Sequence, residues 1–163
     1  MMPVSLSSGE KFMRLAIEDC RAGFADHEGG PFGACIVKEG QVIAVAHNTV
    51  FKDHDPTAHA EINAIREASR ALNTFDLSEC EIYSTTEPCP MCFAAIHWSR
   101  ISRLYTGTRI EEAKALGFNE LSLHNRQIKN LAQLDIELVE NVQVAECRQL
   151  LADWKTQTAG VTY

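Results

Sequence analysis

Two short segments carry residue types that bind and use metals: His59-Ala60-Glu61 and Pro88-Cys89-Pro90-Met91-Cys92. Cys89 and Cys92 are three positions apart, so on one helical turn both thiolates face the same side. A helix opening at Pro90 points its positive end at them, which lowers thiol pKa and favours the metal-bound thiolate. His59, just ahead of a second helix, supplies a third ligand. Thiolate and imidazole together suit zinc, with iron or another divalent ion as the alternative. Structural zinc is closed by four protein ligands, whereas catalytic zinc keeps one position open for water. Glu61 lies two positions beyond His59, placed to reach a water there. Zinc brings the pKa of such a water to about 7. A carboxylate beside it can take the proton and return it to a substrate.

Other readings of these residues use fewer of them. A redox Cys-x-x-Cys pair leaves His59 and Glu61 without a role. A closed structural site needs a fourth ligand recruited from His54, His97 or Cys80. A zinc-stabilised binding module has no need of a carboxylate beside an open position.

The chain that must position this set has 163 residues and a net charge of −7, from 15 Lys and Arg against 22 Asp and Glu. That length suits one domain, residues 1–163, without a separate substrate module. No run of about 18 apolar residues suggests a membrane span. The start, Met1-Met2-Pro3-Val4-Ser5, has no secretory pattern, so a reducing cytoplasm is expected. There, clustered cysteines read as metal-binding rather than disulfide-forming. Cys20, Cys35, Cys80 and Cys147 read as small core residues. The acidic balance argues against a nucleic-acid surface.

Periodicity places a helix from Ser8 to Asp26, capped at Ser7 or Ser8, with Phe12, Ala16, Cys20 and Phe24 on one face. Phe32–Val37 and Val42–His47 read as a hairpin closed by Lys38-Glu39-Gly40-Gln41. Asp55-Pro56-Thr57 reads as the start of a helix running to Leu72, with Ile62, Ile65 and Leu72 on one face and Asn73 as its stop. Further strands are expected at Glu81–Thr85, Ile101–Gly107 and Asp135–Glu140. Further helices are expected at Pro90–Ser99, Ile110–Leu116 and Gln143–Gln157. Strands alternating with helices after a hairpin make an α/β three-layer domain with a mixed sheet.

The H-x-E and P-C-x-x-C segments, in this order, resemble the signature of the zinc-dependent nucleobase deaminases of the cytidine deaminase-like superfamily. The resemblance extends from Gly29-Gly30-Pro31-Phe32-Gly33-Ala34 to the C-terminus. It implies an α/β/α fold with a five-stranded mixed sheet and one zinc per chain on His59, Cys89 and Cys92. It also implies hydrolytic loss of an amine from a heterocyclic base, with Glu61 shuttling protons. Backbone N–H groups of Ala60 and Cys89 would help polarise the reactants.

The segment after the fourth strand, Thr108 to Glu120, lacks the Thr-Gly-Ala-Ala-Gly-Ser-like stretch usual in tRNA adenosine deaminases. It is similar instead to the bacterial guanine deaminase branch, where a carboxylate at the position of Glu120 contacts the base; Asn119 departs from the usual Asp. From Asn125 onward Arg126, Lys129, Arg148 and Lys155 are outnumbered by carboxylates, so no basic stripe supports tRNA. The resemblance further implies that Asn48, Phe32 and Trp98 line the base pocket. It also implies that a C-terminal segment ending in Tyr163 covers an active site, swapped between the subunits of a homodimer in known examples. The expected reaction is guanine to xanthine and ammonia. Guanosine, cytosine, another aminopurine or aminotriazine, or adenosine in tRNA are the alternatives.

Overall fold

The computed structural model describes residues 8–163; the start of the chain and the cap expected at Ser7 or Ser8 fall outside the described side chains. Helix α1 spans Ser8–Ala25, and its stripe at Phe12, Ala16, Cys20 and Phe24, widened by Met13 and Ile17, is buried. Strands β1 (Gly33–Lys38) and β2 (Gln41–His47) form the expected hairpin through Glu39 and Gly40, both at positive φ. Strands β3 (Cys80–Thr86), β4 (Arg103–Thr108) and β5 (Glu137–Val139) complete a five-stranded sheet in the order β2-β1-β3-β4-β5. β1 runs antiparallel to both its neighbours, while β3, β4 and β5 are parallel, so the sheet is mixed.

Register sorts the core into two halves. Ala44, Ile36, Ile82, Leu104 and Leu138 lie in one row across the sheet. Side chains alternate along a strand, so the adjacent row of Val45, Cys35, Tyr83 and Tyr105 faces the opposite way. The first row packs under α3 (Ala60–Leu72) and α4 (Pro90–Trp98), and the second under α1 and α7 (Val144–Gln157). This is the three-layer α/β/α arrangement. Cys20, Cys35, Cys80 and Cys147 are buried, unbonded thiols within these layers, as the sequence suggests.

Three elements differ from expectation. The helix placed at Asp55 begins only at Ala60: Asp55 Oδ1 instead accepts the N–H of Thr57 at 2.8 Å and its hydroxyl at 2.7 Å, which closes a turn. The buried face of α3 is the alanine stripe of Ala60, Ala64 and Ala68, which lets the helix sit close on the sheet. Ile62 is half-buried, and Ile65 and Leu72 pack only at the margin. Two short helices, α2 (Val50–Asp53) and α6 (Asn125–Ala132), were not anticipated. Between α4 and α6, α5 covers Ile110–Ala115, and Gly117 follows it at φ +106°.

Because β2, β3 and β4 point the same way, their C-terminal ends and the start of β1 share one edge of the sheet. Gly33 N–H donates to Thr85 Oγ1 at 3.0 Å and the hydroxyls of Thr86 and Thr108 meet at 2.7 Å, so hydroxyl side chains tie the strands together there. The loops that leave this edge carry the chemistry.

Candidate active site

His59 and Cys89 occupy matching positions, each the residue that caps a helix N-terminus from an extended backbone: His59 ahead of α3 and Cys89 ahead of α4. Pro90 starts α4 without needing a hydrogen-bond partner for an N–H. Cys92 follows within the first turn and is fully buried. The His59 Nδ1 lies 3.6 Å from Cys89 Sγ and 3.5 Å from Cys92 Sγ, and all three atoms fall within 4.8 Å of one another. A tetrahedral zinc with bonds of about 2.1 Å to nitrogen and about 2.3 Å to sulfur separates those ligand atoms by about 3.6 Å. The donor set and its spacing therefore fit zinc.

The electrostatics agree. A hydrogen bond from Cys92, then His59, draws the Cys89 thiol down to about 4, while the same thiolate and burial push Cys92 far up. Two sulfurs sharing one proton are satisfied together by a divalent cation, which keeps both ionised.

Glu61 sits in the first turn of α3, 6% exposed, with Oε1 accepting the Ser84 hydroxyl at 2.8 Å. Burial first, and then the Cys89 charge, raise its carboxyl above the ordinary range, which suits a group that must both hold and release a proton. The amides of Ala60 and Glu61 belong to the first turn, where no helix carbonyl accepts them.

Glu120 lies in the irregular stretch between α5 and α6 and is half-buried. Burial, reinforced by Cys89, pushes it up to about 7. Asn48, 1% exposed, follows β2. Its Oδ1 is taken by the N–H groups of Gly30 (3.2 Å) and Val50 (3.1 Å), which leaves only Nδ2 to face the site. Gly29 must be glycine for this packing, because a Cβ there would run into the main-chain and side-chain oxygens of Asn48. Tyr163 accepts that Nδ2 donor on its hydroxyl, and its main-chain oxygen accepts the N–H of Asn119 at 3.0 Å. The Tyr163 ring meets Phe118 and Phe51 edge-on and comes within 6.1 Å of the His59 ring. Phe32 in turn packs edge-on against Phe118. The tail of this chain thus reaches the pocket of the same chain.

One expected pocket residue is elsewhere, and that expectation is corrected. Trp98 is 77% exposed at the last position of α4 and touches His97. The helix runs from Pro90 to Trp98, and at 1.5 Å per residue its two ends stand about 12 Å apart, so the exposed Trp98 is rooted at the far end from a site built on the first turn.

Ser84, Phe118 and Phe51 join the site without having been singled out in the sequence. The alternation along β3 puts Ser84 on the α3 side, and Phe118 sits two positions before Glu120; neither carries a chemical signature by type. Glu87 is a further addition. It accepts Asn125 N–H at 2.8 Å and pairs with His124 at 3.1 Å, while Asn125 Nδ2 donates to Pro88 O at 2.7 Å. Helix α6 thereby braces the turn that presents Cys89.

Residues 6–108 match the family model of the cytidine and deoxycytidylate deaminase zinc-binding region. A guanine deaminase of Bacillus subtilis is 42% identical over 68% of this chain and 69% of its own. A tRNA-specific adenosine deaminase of Aquifex aeolicus is 50% identical over 58% of this chain and 62% of its own. Among solved structures, a guanine deaminase from Nitrosomonas europaea superposes with a TM-score of 0.83 at 30% identity, covering 95% of this chain and 88% of that one.

Proposed function

Since the chain belongs to the cytidine and deoxycytidylate deaminase zinc-binding family, and is a zinc-dependent aminohydrolase, we propose that it hydrolyses guanine to xanthine and ammonia. In this reading residues 1–163 act as one catalytic domain. The observation that carries it is that Tyr163 stands between two groups of opposite kind: Glu120, a half-buried acceptor with a carboxyl held near neutrality, and Asn48, whose Oδ1 is occupied so that its side chain offers a donor, given in this chain to the Tyr163 hydroxyl. Guanine presents a matching set: an amino group beside a ring N–H for the carboxylate, and ring acceptors for the amide.

His59, Cys89 and Cys92 would hold the zinc, which when bound supplies Lewis-acid activation that brings a water's pKa to about 7. Glu61 takes the first proton of the attacking water and delivers it to a ring nitrogen; it then takes the proton of the hydroxyl now bonded to the ring carbon and passes it to the amine, which leaves as ammonia while that carbon–oxygen bond becomes a carbonyl. Ser84 holds that carboxyl in place. Glu120 orients the amino-bearing edge and assists departure of ammonia. Phe32, Phe118 and Tyr163 close apolar surface over a flat ring, which excludes bulk water from the transfer. The main-chain N–H of Ala60 adds a donor at the start of α3. A homodimer, with tails exchanged between its subunits or folded back as in this chain, belongs to the same reading.

A substrate panel tests it. Ammonia release from guanine should exceed that from guanosine, cytosine, adenine, cytidine, an aminotriazine and a tRNA anticodon stem by orders of magnitude. Turnover of the anticodon stem in preference to guanine would replace this reading with that of a tRNA adenosine deaminase.

A further inference from the structure

One position before Asn48, at the end of β2, the imidazole of His47 lies between two carboxylates. Nδ1 is 2.7 Å from Asp19 Oδ2, and Nε2 is 2.7 Å from Glu28 Oε2. Ionised carboxylates only accept, so both contacts are hydrogen bonds only when each ring nitrogen carries a proton. Helix α1 makes room for the ring: a Cβ on Gly23 would collide with it.

The contacts spread from there. Glu28 takes Lys52 Nζ at 2.8 Å on its other oxygen, and its main-chain oxygen accepts the N–H groups of Phe51 and Lys52. Asn63 Nδ2 donates to the main-chain oxygen of His47 at 3.0 Å. The loop that holds Glu28 also supplies the Gly30 N–H that fixes Asn48 Oδ1. Charged groups facing the same cleft are Lys52 and Asp53 of α2 and Arg66, Glu67 and Arg70 of α3. On β1 the residue opposite is Gly33, which brings no charge.

We propose that His47, braced as an imidazolium between Asp19 and Glu28, is a positioning residue that fixes the turn from which Asn48 presents its donor to the base, and that the brace releases as pH rises. This rests on the reading of Asn48 as a group that holds the base. The ring's pKa is raised above 6.5, first by the hydrogen bond to Asp19. The brace is therefore complete below about pH 6.5 and is lost as pH climbs through the raised value.

The test measures KM and kcat of the zinc-loaded enzyme for guanine from about pH 6 to about pH 9.5. H47Q should raise KM about tenfold at the acid end, with kcat within about threefold and zinc content unchanged. The ratio of variant to wild-type KM should fall towards one at the alkaline end, where the wild type has lost its brace. Ionisation of the substrate cancels in that ratio. D19N keeps an acceptor but removes the charge, so it should leave KM near wild type at the acid end and move the rise in KM to lower pH. A ratio that stays constant with pH, a fall in kcat at unchanged KM, or a D19N profile that overlays the wild type overturns the proposal. If H47Q does not fold, the D19N profile decides alone. N48A with unchanged KM would bring down the reading of Asn48 itself, whereas an impaired N48A with silent His47 and Asp19 variants overturns only the brace.

Discussion

Replacing Glu61 with glutamine separates proton transfer from everything else the residue does. The side chain is 6% exposed and its Oε1 accepts the Ser84 hydroxyl at 2.8 Å. Glutamine has the same length and keeps a carbonyl oxygen for Ser84, so α3 and the neighbouring ligand side chains keep their places. What disappears is the group that holds and releases a proton. Positioned acid–base catalysis contributes about 10²–10⁴-fold. Glu61 serves two transfers and is shielded from bulk water that could substitute for it, so the upper part of that range applies. A loss of about 10³–10⁴-fold corresponds to about 4–5.5 kcal/mol of barrier, at about 1.36 kcal/mol per tenfold. Ammonia release from guanine should show that drop in kcat for E61Q with KM changed only a few-fold. Metal analysis should find full zinc. Stability should stay within about 1 kcal/mol of the wild type, a Tm shift of no more than about 2–4 °C. A zinc-loaded E61Q within about tenfold of wild-type kcat/KM would refute the argument, because the proton would then travel by another route. Loss of zinc would refute it differently, by making Glu61 a ligand.

Three further outcomes follow from the same structure. Chelation should abolish turnover, and zinc should restore it. At free zinc about 1,000 times Kd, binding adds about 4.1 kcal/mol of stability, so a thermal melt should show a holo Tm higher by about 10 °C. Glu120, pushed up to about 7, accepts on both oxygens together, from the amino group and the ring N–H, only when ionised. The kcat/KM for guanine should therefore rise with pH up to about 7, before loss of the His47 brace raises KM at more alkaline pH, and Glu120→Gln should flatten the rising limb; a wild-type profile already level at acid pH contradicts this. Ala68→Leu forces a larger side chain between α3 and the sheet, where Ala68 is wholly buried. Overpacking of about 1–3 kcal/mol should lower Tm by about 2–12 °C, and an unchanged melt would show that the helix does not sit so close.

Much of this was legible in the chain itself, for reasons that vary from element to element. Helices α1 and α7 are legible because large apolar side chains such as Phe12, Phe24, Leu150 and Trp154 mark their buried faces, and the hairpin because Lys38-Glu39-Gly40-Gln41 parts two apolar runs. The set His59, Glu61, Cys89 and Cys92 was legible because few functions use those types at those intervals. Helix α3 was misread at its start because Asp55 and Pro56 are equally good at opening a turn, and at its buried face because alanine carries little hydrophobic signal. Helix α6 was invisible for a related reason. Its anchors are Asn125 and the Glu87 carboxylate rather than an apolar stripe, and its Leu131 is 81% exposed. Trp98 misled because an aromatic near a metal motif suggests a pocket, whereas its place at the far end of a short helix carries it away. The closure by Tyr163 was expected from resemblance alone, since nothing in the tail's composition ties it to Asn48 or Asn119.

The shared edge at the ends of β2, β3 and β4 divides the labour between segments that can change independently. Residues that fit the metal are rooted on α3 and α4, whose faces are locked into the sheet, so the hydrolytic half of the site tolerates little variation. Glu120 hangs on a stretch without regular structure whose Phe118 is buried in the α1 and α7 half of the core, and Tyr163 ends a tail that packs at the margin of the same half; neither is rooted on α3 or α4. Exchanging those two pieces would redirect the enzyme to a different heterocycle while the hydrolytic machinery stayed intact. A library over residues 109–124 and 158–163 that keeps the buried Ile110, Ala113 and Phe118 is thus the economical way to seek new amine-bearing substrates on this scaffold.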